Sequence, residues 1–273
     1  MCPKVEQVIE FLTLLYRKGL GYSAINTARS ALSSIIFQEN GLPMGEHPLI
    51  RRFLKGIFEL RPSLPKYNFI WDVNKVFTYF KTLPALENVS LKNLSYKTVT
   101  LLCLVTGQRC QTIHTIDINK IQSFSDKMRI TIHKPLKTTK PGKHQAPLEL
   151  RHYPEEPKLC IVKTLSHYLE RTKMLRGENS ALFISFHKPH NPVSKDTIAR
   201  WVKATLSDSG IDTDIFSAHS CRAASTSATK QAGMNLSEII KSAGWSNERT
   251  FAKHYECETY SQNFGDFVFK NKK

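Results

Sequence analysis

The stretch SAHSCRAAS, residues 217–225, carries a strong chemical signal in this 273-residue chain. It places His219 and Arg222 three residues apart, so a helix brings both side chains to one face. A guanidinium disfavours protonation of a neighbouring imidazole, which makes the pair a poor packing motif. The pair makes chemical sense when both groups donate hydrogen bonds to one bound anion. A capping histidine beside a surface arginine is the alternative that this stretch leaves open.

The charge of the chain indicates the kind of anion. Lys and Arg number 39 against 23 Asp and Glu, a formal net charge of +16. Such an excess predicts a polyanionic partner, of which nucleic acid is the commonest. A membrane is not expected as partner, because no apolar run approaches the roughly 18–20 residues of a spanning helix.

The basic residues are concentrated in a loop. Residues 120–144 hold one acidic side chain, Asp126, and seven basic ones: Lys120, Lys127, Arg129, Lys134, Lys137, Lys140 and Lys143. Alternating residues in 127–133 and, less cleanly, in 143–151 predict two strands around this loop, with a third short strand near Ile121. A solvated loop without function is the alternative.

Helical periodicity covers most of the rest of the chain. It predicts helices over residues 5–16, 24–38, 47–60, 71–83, 95–105, 160–175, 194–208, 219–233, 235–244 and 247–257, with a short strand in 181–186. Ser23 is expected to cap the second helix, with Ile35 on its apolar stripe. The two prolines of RPSLPKYN, residues 61–68, indicate a linker. The expected fold is mainly α with a small antiparallel β-sheet (α+β), divided into residues 1–66 and 67–273.

Two further stretches hold groups that could act on a phosphate. Arg109 lies in TGQRCQTIHTI, residues 106–116, just after a Thr-Gly helix break. Its planar guanidinium can donate hydrogen bonds to two phosphate oxygens at once. SAGWSNERTFAKHYECE, residues 242–258, places Trp245 after a glycine and Tyr255 ten residues later. An indole N–H can donate a hydrogen bond but does not transfer its proton, and a phenol can act as a nucleophile. A surface arginine, a core tryptophan and a packing tyrosine are the alternatives.

The cysteines do not form a metal site in the sequence. They are scattered singly, without zinc-ligand spacing, at Cys2, Cys103, Cys110, Cys160, Cys221 and Cys257. Reduced thiols that mostly serve as small core residues are therefore expected.

Taken in order, an arginine, a lysine-rich hairpin, His-x-x-Arg, Gly-Trp and a tyrosine resemble the tyrosine recombinase (phage-type integrase) family. The segments KTTKPGK (137–143) and AGWSNERTFAKHY (243–255) look most like members from eukaryotic mobile elements. The resemblance implies a helical core-binding domain that clamps DNA in residues 1–66. It implies a catalytic tyrosine recombinase domain in residues 67–273.

The resemblance also implies the catalytic residues. By position they are Arg109, Lys137, His219, Arg222, Trp245 and Tyr255. Lys134 and Lys140 remain alternatives for the hairpin lysine, because the loop is longer than in bacterial members. Two departures from the family pattern are Thr112, where many relatives have Glu, and a Trp245–Tyr255 interval one residue longer than usual.

The implied activity is DNA strand breakage and rejoining through a 3′-phosphotyrosyl link. Tyr255 would be the nucleophile and preferred to Tyr260, the arginines would stabilise the phosphate, and the lysine would protonate the leaving 5′-hydroxyl. Neither a metal nor ATP nor another cofactor is implied, because the covalent intermediate conserves the bond energy.

The implied partner is double-stranded DNA, bound as a homotetramer on two duplexes. Expected DNA-contacting residues are Arg51, Arg52, Lys55, Lys134, Lys140 and Lys143. The nucleus is the expected location if the source is eukaryotic, and the cytoplasm otherwise. Three rivals remain: a catalytically idle DNA-binding protein of the same fold, a type IB topoisomerase, and a basic helical scaffold for RNA or acidic proteins.

Overall fold

The computed structural model divides the chain into two compact units, Met1–Lys66 and Tyr67–Lys273. It describes residues 3–38, 40–62, 67, 69–136, 139, 142 and 145–245, and the backbone of 258–259. Among these residues, no helix is both long enough and apolar enough to cross a membrane.

The N-terminal unit is a small helical bundle. Its helices are α1 (Val5–Arg17), α2 (Tyr22–Ser33) and α3 (Pro48–Leu60), and a 3-10 turn spans Met44–Glu46. One side of each helix faces a common core of Val8, Leu12, Ile25, Met44, Ile50, Leu54 and Ile57. Pro48 opens α3, where its missing N–H costs nothing, and the His47 side chain accepts a hydrogen bond from the Leu49 amide.

The second helix differs from its prediction at both ends. It begins after Gly21 rather than at a Ser23 cap, and it ends at Ser33. Ile35 is 74% exposed, so its predicted place on the apolar stripe is wrong. After Ser33 the chain turns, the Gln38 amide donates to the Leu42 carbonyl, and Phe37 pairs with Pro43, which ends the helix.

The C-terminal unit contains the remaining elements. The helices are α4 (Val73–Thr82), α5 (Leu91–Thr106), α6 (Cys110–His114), α7 (Ile161–Thr172), α8 (Lys195–Asp208), α9 (Ser220–Gln231) and α10 (Leu236–Ala243). The strands are β1 (Phe69–Ile70), β2 (Ile121–Ser123), β3 (Lys127–Ile130), β4 (Leu148–Arg151) and β5 (Glu258–Thr259), and a 3-10 turn spans Ile118–Lys120.

Helix α5 lies at the centre of this unit. It packs against α7, α8 and α9, and almost all of its residues after Asn93 are buried. A largely buried helix usually satisfies most of its own polar side chains. Thr98 and Thr106 do so by donating hydroxyl hydrogen bonds to the carbonyls of Leu94 and Leu102, at 2.7 and 2.5 Å. The helix can therefore carry its last turn, and the residues that follow, into the interior of the unit.

A three-stranded antiparallel sheet of β2, β3 and β4 lies beside the helices. Arg129 on β3 lies opposite Glu149 on β4, and a guanidinium nitrogen approaches the carboxylate to 2.8 Å. The hydrogen bonds from Arg129 and Lys127 lower the pKa of the Glu149 carboxyl. The predicted hairpin and the predicted class, mainly helical with a small antiparallel sheet, are confirmed.

Two features of the structure differ from the sequence-based expectations. Residues 181–186 form isolated bridges rather than a strand, because Arg176 binds the Ala181 carbonyl while the Leu182 amide donates to Ile116. A parallel pairing of β1 with β5 was not expected, since two-residue strands carry no alternation pattern. The predicted helix over 247–257 lies outside the described residues.

Candidate active site

The turn between α5 and α6 carries the first candidate arginine. Helix α5 ends at Gly107, whose φ of +60° lies in the left-handed region. A Cβ at this position would come within 3.3 Å of the Thr226 methyl group on α9, so glycine satisfies both the backbone and the space. Arg109 follows in an extended conformation as the N-cap of α6 and is half-buried. The turn therefore fixes the backbone of Arg109 against α9.

Arg222 connects α9 to the same turn. Its side chain is only 1% exposed, and its Nη1 donates a hydrogen bond to the Gly107 carbonyl at 2.7 Å. A charge buried to this degree requires strong polar contacts, because it has lost its hydration. The carbonyl of Gly107 provides one such contact two residues before Arg109. The structure thus brings the Arg222 side chain to the turn that carries the other candidate arginine.

Trp245 covers the same guanidinium. The Arg222 guanidinium carbon lies 4.3 Å from the centroid of the indole ring, at a typical cation–π distance. Helix α10 ends at Gly244 in the left-handed conformation, and the Trp245 amide donates to the Ile240 carbonyl at 3.0 Å. This C-cap turns the chain so that the buried indole meets α9.

His219 lies at the start of α9, one turn before Arg222. It is the N-cap residue, and it is exposed, whereas Arg222 is buried. The beginning of the helix is held by Ser220, whose hydroxyl accepts a hydrogen bond from the Trp71 indole at 2.8 Å. The histidine is therefore accessible to a ligand arriving from solvent on the side where α9 begins.

The hairpin loop belongs only in part to the described residues. Lys134 is exposed just beyond β3, whereas Lys137, Lys140 and Lys143 lie outside the described residues. Gln145, near the start of β4, approaches the C-cap of α10. A Cβ at Gly244 would be 3.0 Å from its Oε1. The end of the loop that leads into β4 therefore lies beside the segment that carries Trp245.

The candidate nucleophile, Tyr255, lies outside the described residues, as does Tyr260. The described segments on either side of Tyr255 are α10, followed by Trp245, and β5. Both α10 and β5 contact α9, the helix of Arg222. The chain before and after Tyr255 is thus anchored on the same helix.

The remaining predicted DNA-contacting residues belong to the N-terminal unit. Arg51, Arg52 and Lys55 are all exposed on α3, as their positions in the helical pattern predicted. Lys55 lies 4.0 Å from Glu59 one turn later, an exposed pair that contributes little to stability. These side chains are accessible to a partner.

Three thiols lie next to the arginine-bearing segments. Cys110 follows Arg109 in the chain, and its pKa is lowered by a hydrogen bond from the buried Cys103 thiol. That hydrogen bond and burial raise the pKa of Cys103, while burial raises the pKa of Cys221, which precedes Arg222. No group of three or more His, Cys, Asp or Glu within the described part of the chain is arranged to hold a metal.

Thr112 and Gln108 complete the immediate surroundings of Arg109. Thr112, noted as a departure from the family pattern, is buried in α6. Gln108, which the sequence did not single out, is 3% exposed, and its Nε2 donates to the Ser242 carbonyl at 2.7 Å. A glutamine between a helix-ending glycine and an arginine gives no sequence signal for such a contact, which depends on a helix more than a hundred residues later.

The sequence model of the phage integrase family matches residues 76–262, more than half of the chain. Among curated proteins, none matches the sequence significantly.

Several solved structures share the fold. The XerH site-specific recombinase bound to palindromic difH substrate has a TM-score of 0.60 and 14% identity, over 91% of this chain and 67% of that one. The Tn1549 transposon integrase in complex with transposon right end DNA has a TM-score of 0.59 and 14% identity, over 99% and 86%. A lambda integrase tetramer bound to a Holliday junction has a TM-score of 0.54 and 11% identity, over 96% and 66%.

Proposed function

Because the chain belongs to the phage integrase family, we propose that it is an active enzyme that cuts and rejoins DNA through a covalent 3′-phosphotyrosyl intermediate on Tyr255. Site-specific recombination by DNA cleavage and rejoining is the function that the family match and the shared fold support. The observation that carries the proposal for this chain is the buried Arg222, held between the Gly107 carbonyl and the Trp245 indole beside the Arg109 turn.

The two arginines bind the scissile phosphate. In the transition state of phosphodiester cleavage, negative charge grows on the non-bridging oxygens, and preorganised cations favour that state over the ground state. Arg222 is preorganised, because its guanidinium is fixed by a hydrogen bond and a ring face rather than free in solvent. Burial also strengthens its interaction with an anion, since water screens it less.

Protons move at two atoms during cleavage. The phenol of Tyr255 loses its proton, for which His219 is the proposed base, and its oxygen forms a bond to phosphorus. The bond from phosphorus to the 5′ oxygen breaks, and Lys137 gives that oxygen a proton as general acid. Rejoining reverses both transfers when a 5′-hydroxyl from another strand attacks the phosphotyrosine. The Trp245 indole N–H adds a donor at the same centre.

Duplex DNA is the proposed partner of both units. The exposed Arg51, Arg52 and Lys55 on α3 are proposed to contact phosphates, as are Lys134, Lys140 and Lys143 of the hairpin. Exchange between two duplexes is proposed to require four protomers, and the lambda integrase complex named above is a tetramer bound to a Holliday junction.

The proposed biological setting is a eukaryotic mobile element, with the protein acting in the nucleus. The support is the similarity of residues 137–143 and 243–255 to such members. Terminal or split repeats flanking the gene are expected, and a fluorescently tagged full chain is expected to accumulate in the nucleus of its source cell. A gene without flanking repeats and a tagged chain outside the nucleus would contradict this setting without affecting the chemistry.

The activity is tested by trapping the covalent adduct. The full chain is incubated with nicked duplexes made from the DNA that flanks its gene. After cleavage, the short fragment that carries the new 5′-hydroxyl dissociates from such a duplex, and rejoining is blocked. A protein–DNA adduct is expected on denaturing gels for the wild type and for Tyr260→Phe, whereas Tyr255→Phe gives none and still binds the duplex.

The outcomes separate the rival functions. An adduct from Tyr255→Phe but not from Tyr260→Phe would assign the nucleophile to Tyr260. Relaxation of supercoiled plasmid without strand exchange would favour a topoisomerase-like activity. Binding of the duplex without an adduct on any flanking substrate would favour an idle DNA-binding protein. RNA binding in preference to duplex DNA would contradict the proposal as a whole.

A further inference from the structure

Gln108 lies at the junction of the three segments that carry the candidate site. It follows Gly107, the acceptor of the Arg222 hydrogen bond, and it precedes Arg109. Its own side chain points in another direction, to the Ser242 carbonyl of α10, 134 residues away in sequence, at 2.7 Å. A single residue thus adds a hydrogen bond between the arginine turn and a helix that Gly107 meets only by packing, since a Cβ at Gly107 would lie 3.6 Å from the Ala243 Cβ.

The acceptor of this hydrogen bond is part of a helix terminus. Ser242 is in the last turn of α10, where carbonyls lack partners inside the helix and carry the negative end of the helix dipole. The Gly244 and Trp245 amides bind the carbonyls of Lys241 and Ile240. The Gln108 amide adds a donor for the Ser242 carbonyl and so completes the C-cap from outside the helix.

These contacts connect α9, the turn of Gly107 and Arg109, and the end of α10 to one another. Arg222 donates to the Gly107 carbonyl, Gln108 donates to the Ser242 carbonyl, and Trp245, three residues after Ser242, lies over Arg222. Without the Gln108 hydrogen bond, the end of α10 would still be held at the turn by packing on Gly107 and by the contact of Trp245 with Arg222. The indole would then lose one of the restraints that set its distance from the guanidinium.

We infer that Gln108 is a positioning residue of the recombinase reaction, which holds the end of α10, and with it Trp245, in register with Arg109 and Arg222. The inference rests on the proposed function for its catalytic consequence. It assigns Gln108 no contact with DNA and no proton transfer. Its role is to keep the groups that surround the phosphate at a fixed separation.

The test uses Gln108→Met, which keeps the length and volume of the side chain and removes the donor. Its matched control is Tyr168→Phe in α7, which removes a buried hydroxyl that accepts a hydrogen bond from the Ile184 amide at 3.2 Å. Gln108→Glu is a second variant, with the shape kept and the donor replaced by an acceptor that faces the Ser242 carbonyl. Thermal unfolding of each variant is the check that it folds.

The first measurement is single-turnover cleavage of the nicked duplex against its equilibrium binding. Gln108→Met is expected to cleave about 10–100-fold more slowly, with the duplex Kd within about twofold of wild type, because misplacement of positioning groups slows chemistry rather than binding. Gln108→Glu is expected to be at least as slow. Tyr168→Phe is expected to cleave at the wild-type rate despite a similar fall in melting temperature.

The second measurement does not depend on activity. Hydrogen exchange of a peptide covering α10 and Trp245 is expected to be faster in both Gln108 variants than in wild type, and unchanged in Tyr168→Phe. Wild-type cleavage by Gln108→Met, an equal slowing by Tyr168→Phe, or unchanged exchange at α10 would each overturn the positioning role. A wild-type chain that never cleaves, with faster exchange in the Gln108 variants, would instead overturn the proposed function.

Discussion

The guanidinium carbon of Arg222 lies 4.3 Å from the centroid of the Trp245 indole, so the two groups act as a stacked pair at the base of the candidate site. Trp245→Ala removes the ring face and is expected to slow single-turnover cleavage by about 3–30-fold, the equivalent of a cation–π contact of roughly 0.5–2 kcal/mol. Trp245→Phe keeps a ring face and is expected to slow cleavage less than Trp245→Ala.

The matched control for this pair is Trp201→Phe on α8. Trp201 is a buried tryptophan that packs against Tyr96 and Phe186 in the same unit. The Trp201→Phe substitution is expected to lower the free energy of unfolding without a selective effect on the cleavage rate. If Trp245→Ala cleaves as fast as Trp201→Phe, stacking on Arg222 has no catalytic consequence.

Gly107→Ala tests the turn that carries Arg109. At a φ of +60° a side chain costs about 1–2 kcal/mol, and here its Cβ would also come within 3.3 Å of the Thr226 methyl group. Gly177→Ala is the control, since its φ is +50° but nothing lies within 4 Å of the new Cβ. Denaturant unfolding is expected to show a larger loss of stability for Gly107→Ala than for Gly177→Ala. Equal losses of stability would show that the turn at Gly107 is not crowded.

The buried Lys97 is expected to make the stability of the protein depend on pH. It is 2% exposed on α5, near the Phe80 ring, and burial followed by repulsion from Lys158 lowers its pKa to about 8. The unfolded chain has an ordinary lysine pKa of about 10.4, so between these values only the unfolded state holds the proton. Stability attributable to this group therefore rises as the pH increases from about 8 to about 10.4.

Lys97→Met should separate this contribution from the other titrating groups. At pH 7 the variant is expected to be more stable than wild type by about 1–3 kcal/mol, since it buries no charge. The advantage is expected to shrink as the pH approaches about 10. Urea unfolding of both proteins across this range measures the difference, and a constant difference would show that Lys97 has an unshifted pKa.

The general acid of the hairpin can be identified by changing the leaving group. A substrate with sulfur in place of the bridging 5′ oxygen releases a thiolate, which needs no protonation. Lys137→Ala is expected to cleave the natural substrate about 10²–10⁴-fold more slowly and the sulfur substrate at the wild-type rate. Lys134→Ala and Lys140→Ala serve as controls. Rescue of one of these instead of Lys137→Ala would move the assignment to that lysine.

Much of the local structure followed from short-range patterns. The periodicity before Thr106 and the glycine after it predicted the end of α5, and the alternation in 127–133 predicted β3. The pattern failed at Ile35, where a turn toward Pro43 ended α2 early. The catalytic roles of all six candidate residues stay predictions, and Lys137 and Tyr255 lie outside the described part of the chain.

The family, the order of the candidate groups and the mainly helical class followed from the sequence, because helix period and residue spacing are local properties of the chain. The folded structure was needed to show that Arg222 donates to the Gly107 carbonyl, that Trp245 lies over the Arg222 guanidinium, and that Gln108 caps α10. These contacts join residues that are distant in sequence or lie on different elements. They form when α5, α9 and α10 pack together, and no local pattern encodes which carbonyl a buried donor will meet.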